Sequence, residues 1–252
     1  MRTMDKRLFI WGIPIDKVNM RQAKARFKEM MEEEGLSIIV TPNPEIIMNA
    51  TEDEELKTLI KNSDLAIPDG ISIVYASKIM GQPIEERITG VDFLTEVLKF
   101  LNEKNMGIYL LGGKPGVEGE PTVAEKAGVN MKKRYPGLII SGTHHGYFGR
   151  GEEKNIVNEI KASGASFLCV AMGSPRQEKF IYNNRAELEN VRGAMGVGGS
   201  LDVWAGTVNR APIFYQNHGI EWLYRLVKEP VRIKRMVKIP LFMAKVVLTK
   251  GK

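Results

Sequence analysis

Apolar positions along the chain follow two alternating patterns. Short runs that are apolar on both faces are separated by longer segments in which apolar residues recur at helical spacing. The predicted strands are residues 8–11, 36–40, 65–68, 107–111, 138–140, 167–172 and 193–197. Helices are predicted between Asn19 and Gly35, from Glu45, over 53–62, up to Met80, over 92–104, up to Arg134, over 152–161 and after Ser174-Pro175. This alternation predicts an α/β fold, with a mostly parallel, Rossmann-like sheet that has helices on both faces.

Unusual residues follow the predicted strands. They are Thr41-Pro42-Asn43-Pro44, Asp69-Gly70, Gly112-Gly113, Gly173-Ser174-Pro175 and Gly198-Gly199. In open parallel sheets, ligands bind outside the carboxyl ends of the strands, where these segments meet. The pattern therefore predicts a ligand site along this edge of the sheet.

Three of these segments allow both a functional and a structural interpretation. Gly112 and Gly113 precede a helix, where they could approach a phosphate or could simply form a tight turn. Asp69 at a strand end could act as a general base, or it could cap the following helix. Gln177 could read a sugar or uracil edge, and Glu178 suits the positive end of the helix dipole, but both also fit an ordinary helix start.

Charge divides the chain unevenly. From position 207 to 252 the chain carries ten Lys or Arg and two Glu, a net charge of +8, whereas the first 206 residues carry −2. We therefore expect an α/β core over 1–206 and a basic, amphipathic helical appendage over 207–252. Such a segment favours an anionic partner, namely membrane headgroups, nucleic acid or a phosphorylated ligand, although a packed helix pair with one solvated basic face would look the same. Its arginines Arg225, Arg232 and Arg235 are the groups best suited to grip phosphate oxygens.

Composition excludes several other classes of protein. The single cysteine, Cys169, excludes a disulfide framework and fits a reducing compartment and a strand interior. His144 and His145 are adjacent, so we expect their side chains to point apart, and neither Asp-x-Asp nor a His or Cys cluster indicates a metal site. No apolar run is long enough to span a bilayer, and residues 1–17 carry no cleavage signal.

Taken in order, the motifs resemble the WecG/TagA/CpsF glycosyltransferase family (glycosyltransferase family 26). They are Thr41-Pro42-Asn43-Pro44-Glu45, Pro68-Asp69-Gly70, 87–92, 110–113, 142–148, Gly173-Ser174-Pro175-Arg176-Gln177-Glu178, 196–199, Arg210-Ala211-Pro212, 219–226 and 229–232. Within the family, the chain looks most like the branch that adds N-acetylmannosamine during synthesis of the wall teichoic acid linkage unit. Two features depart from the family pattern: Ala165-Ser166 replaces a frequent Asp, and residues 117–122 resemble an insertion after the glycine pair.

The resemblance implies an inverting, metal-independent transferase without a cofactor. It would move N-acetylmannosamine from a UDP-sugar to undecaprenyl-diphosphate-linked N-acetylglucosamine, with Asp69 as the catalytic base. The substrate-binding residues carried over by the resemblance are Thr41, Asn43, Arg87, Gly112, Gly113, Gln177, Glu178, Gly198, Arg225, Arg232 and Arg235. Among these, the arginines would stabilise the departing diphosphate, the glycines would make room for the nucleotide, and Thr41, Asn43 and Gln177 would orient the sugar.

The same resemblance gives the basic appendage a partner. We expect it to attach the protein peripherally to the inner, cytoplasmic face of the cell membrane and to complete the site, without binding nucleic acid. A homo-oligomer that buries its apolar residues in solution is an alternative. Two other functions stay open: transfer of another sugar, such as glucose or a uronic acid, and a non-enzymatic adaptor that binds a nucleotide and the membrane.

Overall fold

A computed structural model describes residues 7–149, 151–228 and 233–251, without the side chains of Asn217, Arg225 and Lys234. A six-stranded sheet forms its centre, in the order β4-β3-β8-β7-β5-β6, and every neighbouring pair of strands is parallel. Its strands are β3 (Ser37–Val40), β4 (Leu65–Ala66), β5 (Gly107–Gly112), β6 (Ile139–His144), β7 (Phe167–Ala171) and β8 (Gly193–Gly196). A separate antiparallel hairpin comprises β1 (Arg7–Ile10) and β2 (Ile13–Asp16). The predicted α/β fold is confirmed.

The helices of the described residues cover both faces of this sheet. They are α1 (Met20–Glu32), α2 (Pro44–Ala50), α3 (Glu54–Lys61), α4 (Ile71–Ile79), α5 (Gly90–Glu103), α6 (Val123–Arg134), α7 (Glu153–Ala162), α8 (Arg176–Asn183), α9 (Ser200–Ala205), α10 (Ile213–Asn217), α11 (Glu221–Lys228), α12 (Ile233–Met236) and α13 (Lys238–Thr249). Successive strand residues enter two different cores, because side chains alternate across a sheet. Leu168 belongs to the core that includes residues of α2, α3, α7, α8 and α13, whereas Cys169 belongs to the core that includes residues of α1, α5, α6 and α9.

Local sequence signals set many helix starts. Asn19 forms a capping box, in which its side chain accepts from the Gln22 amide and the Gln22 side chain accepts from the Asn19 amide. The side chains of Asn43, Asp53 and Thr89 cap α2, α3 and α5 in the usual way. These caps explain why the predicted starts of α1, α2 and α3 lie within one residue of the observed ones.

Two local features differ from the expectation. The strand predicted at 8–11 is present as β1, but its hairpin partner β2 was not predicted. Asp16 at the end of β2 accepts a 2.7 Å hydrogen bond from the Ala66 amide, so the hairpin covers the edge strand β4. The His144 and His145 rings do not point apart, because β6 ends at His144 and the chain turns, which leaves the ring centroids 4.6 Å apart.

The last helix shares the interior of the α/β core. Phe242 and Val246 of α13 are fully buried among residues of α2 and α4. The turn of the β1–β2 hairpin also holds this helix, because Trp11 Nε1 donates to Thr249 Oγ1 at 2.9 Å and the Trp11 ring packs edge-on against Phe242. The division at residues 206 and 207 stays a prediction. Among the described residues, no helix combines the length and apolarity that crossing a membrane requires.

Candidate active site

A cleft of about 600 Å³ lies along the carboxyl ends of the parallel strands. The segments that follow each of the six strands contribute to it, and residues between 208 and 239 form its other wall. We call the two sides the strand-end wall and the C-terminal wall. The cleft occupies the edge of the sheet at which the sequence predicts a ligand.

The segment after β3 places Thr41 and Asn43 in the strand-end wall. Thr41 is buried, and Asn43 is half-buried at the N-cap of α2, where its Oδ1 accepts from the Ile46 amide at 3.0 Å. Pro44 occupies the first turn of that helix, where its missing amide hydrogen costs nothing. The double-proline loop therefore presents the Asn43 side chain from a fixed backbone.

Asp69 follows β4 and lines the cleft half-buried. Its backbone amide donates to the Pro42 carbonyl at 3.3 Å, which joins the segment to the double-proline loop. Gly70, with φ at +98°, occupies the N-cap of α4 and, as a glycine, supplies no side-chain cap. Asp69 therefore precedes the N-cap position and lines the cleft, and its role as a base stays a prediction.

The glycine pair after β5 is required first by packing. A Cβ at Gly112 would lie 2.3 Å from the Ala171 carbonyl oxygen, and one at Gly113 would lie 2.5 Å from the Val123 side chain. Gly113 lines the cleft together with Lys114, whereas Gly112 lies behind the wall and is not part of the lining. Residues 117–122, the apparent insertion, lie outside the lining as well.

A network of hydrogen bonds holds the start of α8 against the end of β8. The Gly198 amide donates to Gln177 Oε1 at 3.1 Å, and Gln177 Nε2 donates to Glu178 Oε1 at 2.8 Å. Gln177 and Gly198 line the cleft, whereas Glu178 is buried behind them. Burial raises the pKa of Glu178, and the Glu45 carboxylate acts in the same direction, although the hydrogen bond from Gln177 and the nearby Ser174 hydroxyl oppose them.

Arg87 links the two walls. Its Nη1 lies 2.9 Å from Glu221 Oε2, and its Nη2 donates to the Gln216 carbonyl at 3.1 Å. A second bridge lies just outside the cleft, where Arg210 Nη1 and Nη2 lie 2.7 and 2.8 Å from the two oxygens of Asp92. The Arg210 Nε group is 3.7 Å from Glu221 Oε1, which connects the two bridges.

The structure describes the three arginines predicted from the basic appendage to different extents. Arg235 lines the cleft with a half-exposed side chain, and its Nε lies 3.4 Å from Glu45 Oε1. Arg225 lies on α11 and its side chain is not described, while Arg232 lies outside the described residues. Their roles therefore stay predictions.

Several lining residues were missed. Lys114 and Arg176 each lie directly beside a predicted residue in the sequence, and their positive charge could have indicated that they face a phosphate-binding cleft. Tyr147, Asp202 and Trp222 also line the cleft, and the local sequence pattern carries no comparable sign of this. Within the described part of the chain, no group of three or more His, Cys, Asp or Glu side chains is placed to hold a metal ion.

Comparison with known proteins agrees with the motifs. The model of the "Glycosyl transferase WecG/TagA/CpsF family" matches residues 8–252. The chain is 33% identical over 253 residues to proteins from Staphylococcus aureus strains MW2, NCTC 8325 / PS 47 and MRSA252, and the alignments cover 100% of this chain and 96% of each relative. Each of these relatives is named N-acetylglucosaminyldiphosphoundecaprenol N-acetyl-beta-D-mannosaminyltransferase. The expected resemblance is confirmed: the chain belongs to the WecG/TagA/CpsF family of glycosyltransferases.

Proposed function

We propose that this glycosyltransferase moves N-acetylmannosamine from UDP-N-acetylmannosamine to undecaprenyl-diphosphate-linked N-acetylglucosamine, a step in building the wall teichoic acid linkage unit. The names of relatives that align with the whole chain support this donor sugar and this acceptor. One structural observation carries the proposal for the chemistry. Asp69 lines the same cleft as Arg87 and Arg235.

Asp69 serves as the general base in this proposal. The acceptor hydroxyl oxygen forms a bond to C1 of the donor sugar while the bond from C1 to the UDP oxygen breaks, and Asp69 takes the hydroxyl proton. One displacement of this kind inverts the configuration at C1. The β product in the relatives' name is the outcome expected from an α-linked nucleotide sugar. Because the hydroxyl becomes strongly acidic only during attack, a carboxylate of ordinary basicity is adequate.

Positive side chains stabilise the departing diphosphate in place of a divalent ion. Arg87, Lys114, Arg176 and Arg235 all line the cleft, so negative charge that develops on the leaving oxygen meets fixed cations. Arg225 and Arg232 are proposed to join them. Thr41, Asn43 and Gln177 orient the sugar, and the open backbone at Gly113 and Gly198 admits the nucleotide, with Gly112 fixing the turn behind them.

The C-terminal helices are proposed to rest on the inner face of the cytoplasmic membrane, where the lipid-linked acceptor lies. Several of their apolar side chains are exposed, and lysines lie between them. The exposed apolar residues are Leu223, Val227, Ile233, Val237, Leu241, Val247 and Leu248. Apolar residues mixed with basic ones are typical of a helix that binds an anionic interface. Sedimentation with anionic and with neutral vesicles tests this attachment, and self-association without vesicle binding would favour the homo-oligomer instead.

The decisive experiment is an assay of UDP release. Purified protein is incubated with UDP-N-acetylmannosamine and a lipid-diphosphate N-acetylglucosamine acceptor, with EDTA or with magnesium. We expect turnover that EDTA does not reduce and a product of β configuration by NMR. Turnover that requires the metal would refute metal independence, and retained α configuration would refute inversion. Preference for UDP-glucose or a UDP-uronic acid in a donor panel would replace the donor, and nucleotide binding without turnover would favour the adaptor.

A further inference from the structure

Glu178 is a carboxyl group that the proposed chemistry leaves unexplained. It lies in the first turn of α8, its residue is 5% exposed, and it is absent from the cleft lining. Its Oε2 is buried without a hydrogen-bond partner in the described structure, and the neighbouring charge that acts on it, Glu45, has the same sign. Burying an ionised carboxylate without a compensating positive charge costs free energy, so the presence of Glu178 at this position needs an explanation.

The environment of Glu178 is organised around the side-chain amide of Gln177. The Gly198 amide hydrogen points at Gln177 Oε1, and Glu178 Oε1 accepts from Gln177 Nε2. Gly196 leaves the space that this amide occupies, since a Cβ there would lie 2.6 Å from Nε2. These contacts distinguish the two ends of the amide, so they exclude its flipped orientation. One hydrogen of Nε2 and one lone pair of Oε1 remain for a ligand in the cleft.

Ser174 is the other side chain that acts on Glu178. Its Oγ is also buried without a hydrogen-bond partner among the described residues, and its hydroxyl lowers the pKa of Glu178, against the effect of burial. A neutral carboxyl group carries one O–H donor and still accepts at its other oxygen. A bond from Glu178 Oε2 to Ser174 Oγ would therefore satisfy both atoms, while Oε1 keeps its bond from Gln177.

We propose that Glu178 is a positioning residue, which as a neutral carboxyl group fixes the Gln177 amide and the Ser174 hydroxyl in the strand-end wall for the nucleotide-sugar donor. It acts through those two side chains and does not touch the donor. The inference rests on the proposed function, because it assumes that the cleft binds a nucleotide sugar. Burial of this side chain and the like charge of Glu45 raise the pKa of Glu178, which acts in the direction of the neutral form.

Substitutions at Glu178 and Gln177 test this assignment. Glu178→Met removes the acceptor at nearly constant volume, and we expect it to weaken UDP binding and raise the donor KM about 10-fold, with a smaller change in kcat. Glu178→Gln keeps one acceptor and one donor, so its loss should be only about 2-fold to 3-fold. Gln177→Ala should match Glu178→Met, and the double variant should be no worse than Gln177→Ala, because both act through the same amide.

The measurements are UDP affinity by titration calorimetry, donor KM and kcat by UDP release, and thermal unfolding of each variant. Lys179→Met is the matched control on the same helix, since Lys179 pairs with Asp53 and Glu55 away from the cleft. If Glu178→Met does not fold, Glu178→Gln decides alone: a loss of about 10-fold would mean that the ionised form is needed and would overturn the proposal.

The remaining outcomes separate this inference from the function on which it rests. If the wild type binds UDP and Glu178→Met binds it equally well with an unchanged donor KM, the positioning role is overturned and the proposed function is not. Additive losses in the double variant overturn it too, because Glu178 would then act independently of Gln177. Wild-type protein that does not bind UDP overturns the proposed function, and this inference falls with it.

Discussion

The two walls of the cleft are held in different ways. The strand-end wall is part of the sheet itself, and its groups are fixed by short bonds within the core, such as the one from the Gly198 amide to Gln177. The C-terminal wall is joined to the core by ion pairs in and beside the cleft, of which Arg87–Glu221 and Arg210–Asp92 are the shortest among the described residues. One wall is therefore determined by the fold, whereas the position of the other depends on charge and on the anchoring of α13.

This difference suggests a division of labour. A rigid wall suits binding of the nucleotide sugar and positioning of the general base Asp69, because small displacements of reacting groups lower the rate. A wall attached by partly exposed ion pairs can adjust to an acceptor that arrives in a lipid surface. Substitutions in the strand-end wall should therefore change donor binding or the chemical step, whereas those in α13 and in the ion pairs that hold the C-terminal wall should change the stability and placement of that wall.

The largest expected effect comes from removing the anchor of the C-terminal wall. Phe242→Ala should lower the free energy of unfolding by about 3–5 kcal/mol, because the ring is fully buried against α2, α4 and Trp11. Denaturant unfolding checks this value. Leu248→Ala on the same helix is the control, since Leu248 is 84% exposed and should change stability by less than about 0.5 kcal/mol. Equal effects would show that α13 does not pack as described.

The next largest effect concerns the strand-end wall. Asp69→Asn keeps the shape of the side chain but removes the base, so kcat should fall roughly 10²-fold or more. UDP affinity, measured by calorimetry, should stay within about 2-fold of wild type, because binding does not need the proton acceptor. Turnover close to that of the wild type would remove Asp69 from the role of base. A loss of UDP affinity equal to the loss of rate would instead make it a binding residue.

The strand-end wall is also the part that the sequence predicts well. Apolar runs, glycine pairs and proline loops are local signals, and parallel strands bring their carboxyl ends together whatever the details of packing. These signals predict a common site for Thr41, Asn43, Asp69, Gln177 and Gly198, and all five line one cleft. Gly112 was also predicted to bind the substrate, but it does not line the cleft, and glycine is required there because the neighbouring strand β7 leaves no room for a side chain.

The C-terminal wall could be predicted only in part, for a physical reason. Basic and apolar spacing identified amphipathic helices, but the partners of this segment lie more than a hundred positions away in sequence. Arg87 pairs with Glu221, and Asp92 with Arg210, and no local pattern encodes either contact. The sequence does not predict the burial of Phe242 in the core either, because an apolar residue at helical spacing fits a membrane surface as well as a protein interior.

A double-mutant cycle measures how firmly charge attaches the C-terminal wall. We expect a coupling of about 1 kcal/mol between Asp92→Asn and Arg210→Met, because the contact uses both carboxylate oxygens but is partly exposed. The measurement is denaturant unfolding, together with the rate of proteolysis after residue 207. The pair Glu54 and Lys57, whose carboxylate is largely exposed, provides the control and should couple by less. Coupling as weak as in the control would mean that the bridge does not hold the wall.

The smallest expected effect is the pH dependence of that same bridge. Burial tends to raise the pKa of Asp92, but hydrogen bonds from Arg210 and Thr89 outweigh it and hold the pKa below its ordinary value of 3.8. The folded state therefore favours the ionised form, so the stability from this group is present at neutral pH and is lost as the pH falls through the lowered value. The unfolding free energies of wild type and Asp92→Asn should differ at pH 7, and the difference should shrink as the pH falls below the ordinary value of 3.8. A difference that disappeared already near pH 6 would assign the effect to another group, and one that stayed constant from about pH 5 to about pH 2 would show that the contact does not depend on the carboxylate charge.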